Sequence, residues 1–255
     1  MSTRDYSLSG RVALVTGGRR GIGKTIALAF AEAGADVSVC DVVVDDGQLD
    51  GVAEEIRRLG RRSLAIHADT SRKIDVDHMV NKVMNEFGAI DILANCAGIG
   101  IAERLVDMKE EEWDRVIDVN LKGYYLCAQA AGARMIERKK GNIISIASQY
   151  AFKAAPGMGV YSIAKAGVVM LTRVLARELG PYGVRANAIA PGLVRTELSR
   201  HDWADPDIRA QREAAIPLGR LSEPDDLVGL ALFLASDASS YITGHTVLAD
   251  GGELA

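Results

Sequence analysis

The sequence predicts an α/β fold, a doubly wound parallel sheet of about seven strands with helices on both faces. Three observations carry this expectation. Short apolar runs of strand length alternate with longer helical patterns from residue 11 to residue 249, as expected for a parallel sheet covered on both sides. With 48% hydrophobic residues the 255-residue chain can bury a large core, and an open α/β sheet uses that length without splitting. No low-complexity linker or internal repeat interrupts the pattern, so residues 1–255 are expected to form a single domain.

The elements read off in order. Residues 11–16, with a Val-Ala-Leu-Val core, form a buried strand, and 22–33 an apolar-striped helix stopped at Gly34. Residues 36–41 make the second strand, and 48–59 a charged helix ended by Gly60. A third strand at 63–67 leads to a helix over 75–87 and a fourth strand over 91–95. Helices follow over 107–116 and 121–136, and an N-cap of the second is the plain structural alternative for Asn120. The fifth strand is 142–147, and 160–179 is a long helix, apolar around much of its circumference. A sixth strand at 184–190 precedes helical segments at 206–215 and 224–235, and 246–249 closes the sheet. Residues 195–217, polar and charged just after a strand end, read as a mobile substrate-loop insertion.

Composition narrows the function. A net charge of −4 gives no cause to expect nucleic acid or an anionic membrane as a partner. Cys40, Cys96 and Cys127 are widely spaced in apolar surroundings and read as reduced buried thiols, with neither a disulfide framework nor a zinc site expected. His67, His78, His201 and His245 show no metal-ligand spacing, so no metal is expected. The start of the chain lacks the apolar core of a signal peptide and no apolar run approaches membrane-spanning length, which points to a cytoplasmic protein.

Gly17, Gly21 and Gly23 follow a buried strand and open a helix, with Arg20 and Ile22 between them. Missing side chains let the backbone approach a pyrophosphate, and the helix N-terminus offers free amides and partial positive charge. Asp41 ends the second strand, where a carboxylate accepts hydrogen bonds from ribose hydroxyls and repels a 2′-phosphate. That favours NAD over NADP. Arg19 and Arg20, which could pair with a 2′-phosphate, argue the other way and are given less weight.

Tyr161 and Lys165 stand at i and i+4, on one face of a helix, and Ser148 lies thirteen residues before the tyrosine. An ammonium about 5 Å from a phenol favours the phenolate by about 3 kcal/mol at an effective dielectric near 20, roughly two pKa units. A phenol so adjusted can take or give a proton at an alcohol or carbonyl.

These motifs, with Asp69, Asn95-Cys96-Ala97-Gly98, Asn120, and Pro191-Gly192 with Thr196, occur in the order seen in the short-chain dehydrogenase/reductase family, which the chain resembles over essentially its whole length. The resemblance implies a Rossmann-type sheet and hydride transfer between a secondary alcohol or ketone and a nicotinamide cofactor, within one dinucleotide-binding and catalytic domain. It makes Tyr161 the acid–base, with Lys165 lowering its pKa and binding the nicotinamide ribose. Ser148 would hold the substrate oxygen, and Asn120 a water in a proton relay. Asp69, with Thr70 beside it, would meet the adenine, while Asn95, Ala97 and Gly98 would border the adenosine ribose. Pro191, Gly192, Val194 and Thr196 would contact the nicotinamide end. The family more often has a second asparagine where this chain has Cys96, a departure that removes no proposed catalytic group.

Substrate residues are expected at the carboxyl ends of strands four to six, with Ser148, Gln149, Tyr161 and Leu193 as candidates. The favoured activity is NAD-linked oxidation of a polyol, sugar acid or other small secondary alcohol. The alternatives are an NADPH-dependent 3-oxoacyl-thioester reductase and, in another class, a non-catalytic nucleotide-binding scaffold, against which the complete Ser148, Tyr161 and Lys165 set argues. Val160, Val168, Val169, Leu171, Val174 and Leu175 surround more of their helix than one sheet face can cover. With the resemblance, this implies a homotetramer in which helices 160–179 and 121–136 pair across a subunit boundary.

Overall fold

The computed structural model describes residues 6–255. Its strands are β1 (Val12–Thr16), β2 (Asp36–Asp41), β3 (Ser63–His67), β4 (Ile92–Asn95), β5 (Gly141–Ile146), β6 (Val184–Pro191) and β7 (Thr246–Ala249). They form one all-parallel sheet in the order β3-β2-β1-β4-β5-β6-β7. Every residue of β1 and β4 is buried, which is why these strands read as unbroken apolar runs.

The helices are α1 (Gly21–Glu32), α2 (Gln48–Arg58), α3 (Lys73–Phe87), α4 (Glu110–Ile117), α5 (Gly123–Arg138), α6 (Gly159–Leu179), α7 (Pro206–Ala214) and α8 (Val228–Ala235). One core layer joins Ile26 and Phe30 of α1, Val52 and Ile56 of α2, and Leu234 of α8 to the sheet. The opposite layer joins Val76 and Met79 of α3, Leu126 and Met135 of α5, and Ala176 of α6.

Three sequence expectations change. The helices expected at 107–116 and 121–136 are one interrupted rod: α4 runs into a single π-helical turn, Asp118–Lys122, and then into α5. Asn120 is therefore inside a helix and caps nothing. The segment expected as helix 224–235 begins as a 3₁₀ turn, Pro224–Leu227, before α8. Finally, Gly159–Tyr182 does reach membrane-spanning length, with a mean hydropathy of 1.3. It packs against β6, α4 and α5 and carries the buried Lys165, while Ile163, Met170 and Val174 stay exposed.

The register sets the position of the site. Thr16 pairs level with Cys40 on one side and with Asn95 on the other, so β1, β2 and β4 end together. Chain order reverses between β1 and β4, which opens a crevice beyond their carboxyl ends.

Candidate active site

The turn after β1 is shaped by positions where no side chain fits. A Cβ added at Gly23 would stand 2.2 Å from the Gly17 carbonyl oxygen, and one at Gly17 would stand 2.7 Å from the Ala97 Cα. Gly17 and Gly21 also hold φ of +64° and +55°, where an L side chain is strained. The backbone is thus drawn tight between β1 and the loop after β4. Arg20 occupies the N-cap of α1 without a side-chain bond to the helix, so the first amides of α1 lack that partner. Thr16 completes the turn: its Oγ1 accepts hydrogen bonds from the Cys96 and Ala97 amides at 3.1 and 3.2 Å.

This turn borders a cleft of about 810 Å³. Of the residues expected to hold a cofactor, Gly17, Arg20, Gly21, Ile22, Gly23, Asp41, Asp69, Thr70, Ala97, Gly98 and Thr196 line it. A narrower cavity of about 210 Å³ adjoins through Ile22 and Thr196 and is lined by Ser148, Gln149, Tyr161, Pro191, Gly192, Leu193 and Val194. A site with a backbone cradle at one end and a phenol at the other fits a dinucleotide with its reactive ring beside Tyr161.

Asn95, Asn120 and Lys165 do not line either space. Asn95 is 1% exposed, and its side-chain oxygen and nitrogen lack hydrogen-bond partners among the described residues. It ends β4 just before Cys96, Ala97 and Gly98, which line the cleft. Asn120, 0% exposed, donates from Nδ2 to the Ile99 and Val116 carbonyls at 2.9 and 3.0 Å and accepts from the Ile99 amide at 3.3 Å. Val116 is four residues earlier, so the asparagine amide satisfies a carbonyl within the turn where the π segment breaks the regular ladder. A Cβ at Gly98 would lie 2.9 Å from Asn120 Oδ1 and 3.9 Å from Lys165 Nζ. A side chain at Gly98, which lines the cleft, would crowd both groups.

Lys165 is 2% exposed and so lies in the interior of the fold. Its Nζ donates to the Ile146 carbonyl at 2.8 Å and to the Tyr124 hydroxyl at 3.1 Å, and lies 5.5 Å from the centre of the Tyr161 ring. Burial lowers its pKa from 10.5 to about 7. Burial also pushes the Tyr161 phenol up to about 12, with the Ser148 hydroxyl pulling the other way. This reverses the sign expected from an isolated tyrosine and lysine. Desolvation is the largest cause, the Ser148 hydroxyl opposes it and the Tyr150 phenol adds to it. Ser148 caps the 3₁₀ turn Gln149–Ala151 by accepting from the Tyr150 amide at 3.1 Å, and it also faces the cavity.

Several groups escaped the sequence reading. Tyr124, fully buried, donates to the Ile146 carbonyl at 3.1 Å and receives Lys165. Glu253, near the end of the chain, accepts from Gln149 Nε2 and Lys153 Nζ, each at 3.0 Å. Glu111, Asp114, Arg115 and Asp118 line the large cleft. Their spacing places them on one helix face, a visible signal that is indistinguishable in sequence from a solvated face. The cysteines are free; Cys40 and Cys127 are buried, and Cys96 is half-buried with its thiol pushed up to about 12 by burial.

A family profile described as enoyl-(acyl carrier protein) reductase matches residues 17–253. The chain is 39% identical over 249 residues to an NAD-dependent glycerol dehydrogenase of Listeria innocua, covering 98% of this chain and 96% of that protein. It is 40% identical over 240 residues to the 3-oxoacyl-(acyl-carrier-protein) reductase FabG of Staphylococcus epidermidis, covering 94% and 97%. Among solved structures it superposes with a TM-score of 0.93 on a gluconate 5-dehydrogenase of Burkholderia cenocepacia in complex with NADP and tartrate, at 36% identity and 98% and 97% coverage.

Proposed function

The chain belongs to the short-chain dehydrogenase/reductase family of oxidoreductases, and on that premise we propose that it oxidises a small secondary alcohol to the ketone with NAD. The alcohol is a polyol, sugar acid or related hydroxy compound. The observation that carries this reading is the meeting of Ser148 and Tyr161 in one small cavity, with Lys165 buried behind them and a glycine cradle in the adjoining cleft.

In this reading Gly17, Arg20, Gly21, Ile22 and Gly23 hold the pyrophosphate, Asp41 the adenosine ribose, and Asp69 and Thr70 the adenine. Ala97 and Gly98 close over the ribose, with Asn95 supporting that loop from below. Pro191, Gly192, Val194 and Thr196 hold the nicotinamide end. When bound, the nicotinamide ring supplies the hydride acceptor and a positive charge. Ser148 holds the alcohol oxygen, and Tyr161 takes the hydroxyl proton as the C–H bond breaks. Lys165 binds the nicotinamide ribose and favours the phenolate, and Asn120 holds the Ile99 backbone and anchors a water that passes the proton outward. Gln149 and Leu193 shape the substrate's remaining contacts. The whole chain acts as one dinucleotide-binding and catalytic domain, cytoplasmic and assembled as a homotetramer.

A second reading, NADPH-dependent reduction of a 3-oxoacyl thioester, is favoured by the FabG likeness and by Arg19 and Arg20 at the cleft. Steady-state assays with NAD and NADP against polyols, hydroxy acids and ketones separate the two. Titration of intrinsic fluorescence should show NADH bound more tightly than NADPH, and Asp41→Ser should narrow the gap. Tighter NADPH binding by the unmodified protein overturns the NAD assignment and promotes the reductase.

A further inference from the structure

Two carboxylates hold Arg19 at the cofactor cleft. Its side chain is 9% exposed; Nη1 donates a short hydrogen bond to Asp46 Oδ2, and Nε lies 3.6 Å from Asp41 Oδ1. Nε is buried without a hydrogen-bond partner among the described residues. The guanidinium is therefore paired with Asp46 while part of its donor capacity stays unused.

Asp46 is itself fixed in place. Its Oδ1 accepts from the Gln48 amide and its Oδ2 from Gln48 Nε2, both at 3.0 Å, just ahead of α2. At 31% side-chain exposure, it stands closer to solvent than the arginine it holds. Asp41 is tied separately, by the Val43 amide at 3.0 Å. Around one guanidinium, two carboxylates leave one net negative charge beside the cleft residues Arg19, Asp41 and Val42. A dianionic phosphate entering there meets that charge and finds Arg19 already bonded, while Arg20 lines the same cleft from the N-cap of α1.

We propose that Asp46, five residues beyond the end of β2, is a cofactor-selectivity residue: it engages Arg19 and thereby withholds the guanidinium from a 2′-phosphate. The inference rests on the dinucleotide reading of the cleft and adds a second carboxylate to Asp41. Asp41 acts by direct repulsion. Asp46 acts through Arg19, and that dependence can be measured.

The test is fluorescence titration of NADH and NADPH with the full chain and with Asp46→Asn, Arg19→Gln and the double variant, each checked for native circular dichroism. Asp46→Asn keeps the side-chain size, and its amide oxygen can still meet Gln48. It should tighten NADPH at least about tenfold relative to NADH, because the freed guanidinium makes charge-assisted bonds to phosphate. Arg19→Gln alone should not improve NADPH binding, since it leaves both carboxylates uncompensated, and in the double variant the gain should vanish. An unchanged NADPH-to-NADH ratio in Asp46→Asn overturns the inference while leaving the cofactor site standing. So does a gain that persists without Arg19, because the arginine is then not the intermediary. An unmodified chain that bound neither dinucleotide would overturn the cofactor reading and this inference together.

Discussion

Replacing Lys165 by methionine should change the pH dependence of stability as well as catalysis. The lysine's ordinary pKa of 10.5 falls to about 7 in the fold because burial disfavours the ammonium. Between those values the unfolded chain binds the proton that the folded chain has released, so stability rises with pH across the window. Above pH 10.5 the lysine costs nothing electrostatically; as the pH falls through about 7 the full cost is felt. At about 1.4 kcal/mol per pKa unit, that cost is about 5 kcal/mol at low pH and about 4 kcal/mol at pH 7. Lys165→Met removes it. The variant leaves the Tyr124 hydroxyl without the donor it accepts from, at about 1 kcal/mol, while Ile146 keeps its bond from Tyr124. The variant should thus be more stable than the unmodified protein by about 3 kcal/mol at pH 7. That advantage should shrink by up to about 1.4 kcal/mol per pH unit toward pH 9.5. Urea melts of both proteins without added dinucleotide, from pH 7 to 9.5, measure the difference directly, and the buried thiols cancel in it. Parallel stability curves would show that the folded lysine keeps its ordinary pKa, and the argument from burial would fail.

Tyr161→Phe should retain NADH binding while turnover on a verified substrate falls about 10²-fold or more, since the ring stays and the exchangeable proton goes; near-normal turnover would move proton transfer to another group. The oxidation rate should rise with pH, because Tyr161 must be ionised to accept the proton. Its inflection should lie below about 12, the value that burial sets against the Ser148 hydroxyl, because a cationic nicotinamide lowers it further, and a pH-independent rate between 6 and 10 would refute this. Gly23→Ala should weaken NADH binding more than about tenfold, because its Cβ meets the Gly17 carbonyl at 2.2 Å and the turn must open; wild-type affinity in isothermal titration would dissolve the cradle assignment. Of the six α6 residues expected at a subunit boundary, Val160, Val168 and Val169 are buried within the chain; the proposed homotetramer rests instead on Ile163, Met170 and Val174, which α6 leaves exposed, and sedimentation of a monomer at micromolar concentration would refute it.

What could be read in the sequence followed from local spacing. The apolar runs of β1 and β4 are continuous because both sheet faces are covered, and Gly17, Gly21 and Gly23 stand where the backbone must turn and close up. Tyr161 and Lys165 share a face because four residues make about one helical turn. The misreadings came from quantities that spacing does not contain. The sign of the Tyr161 shift is set chiefly by burial, which outweighs the Ser148 hydroxyl and which the spacing of Tyr161 and Lys165 does not contain. Asn120 looked like a cap because a π turn adds one residue without changing composition, and only the Val116 carbonyl reveals where the ladder is broken.

The contacts hidden from the sequence share a further property: each pairs a motif residue with a partner that no motif marks. Gln149 is held by Glu253 from 104 residues away, and Arg19 by Asp46 from a turn that reads as an ordinary polar loop. Within the motifs, glycine and tyrosine act through shape and a single proton, so their residue type nearly specifies their use. Arginine does not behave this way. In the same glycine turn it can neutralise a phosphate or be neutralised by a neighbouring carboxylate, and the difference lies in a loop five residues past the strand that carries Asp41. If Asp46 acts as proposed, cofactor choice is a property of the charge assembled from the turn after β1, the end of β2 and the start of α2, and Asp41 states only part of it.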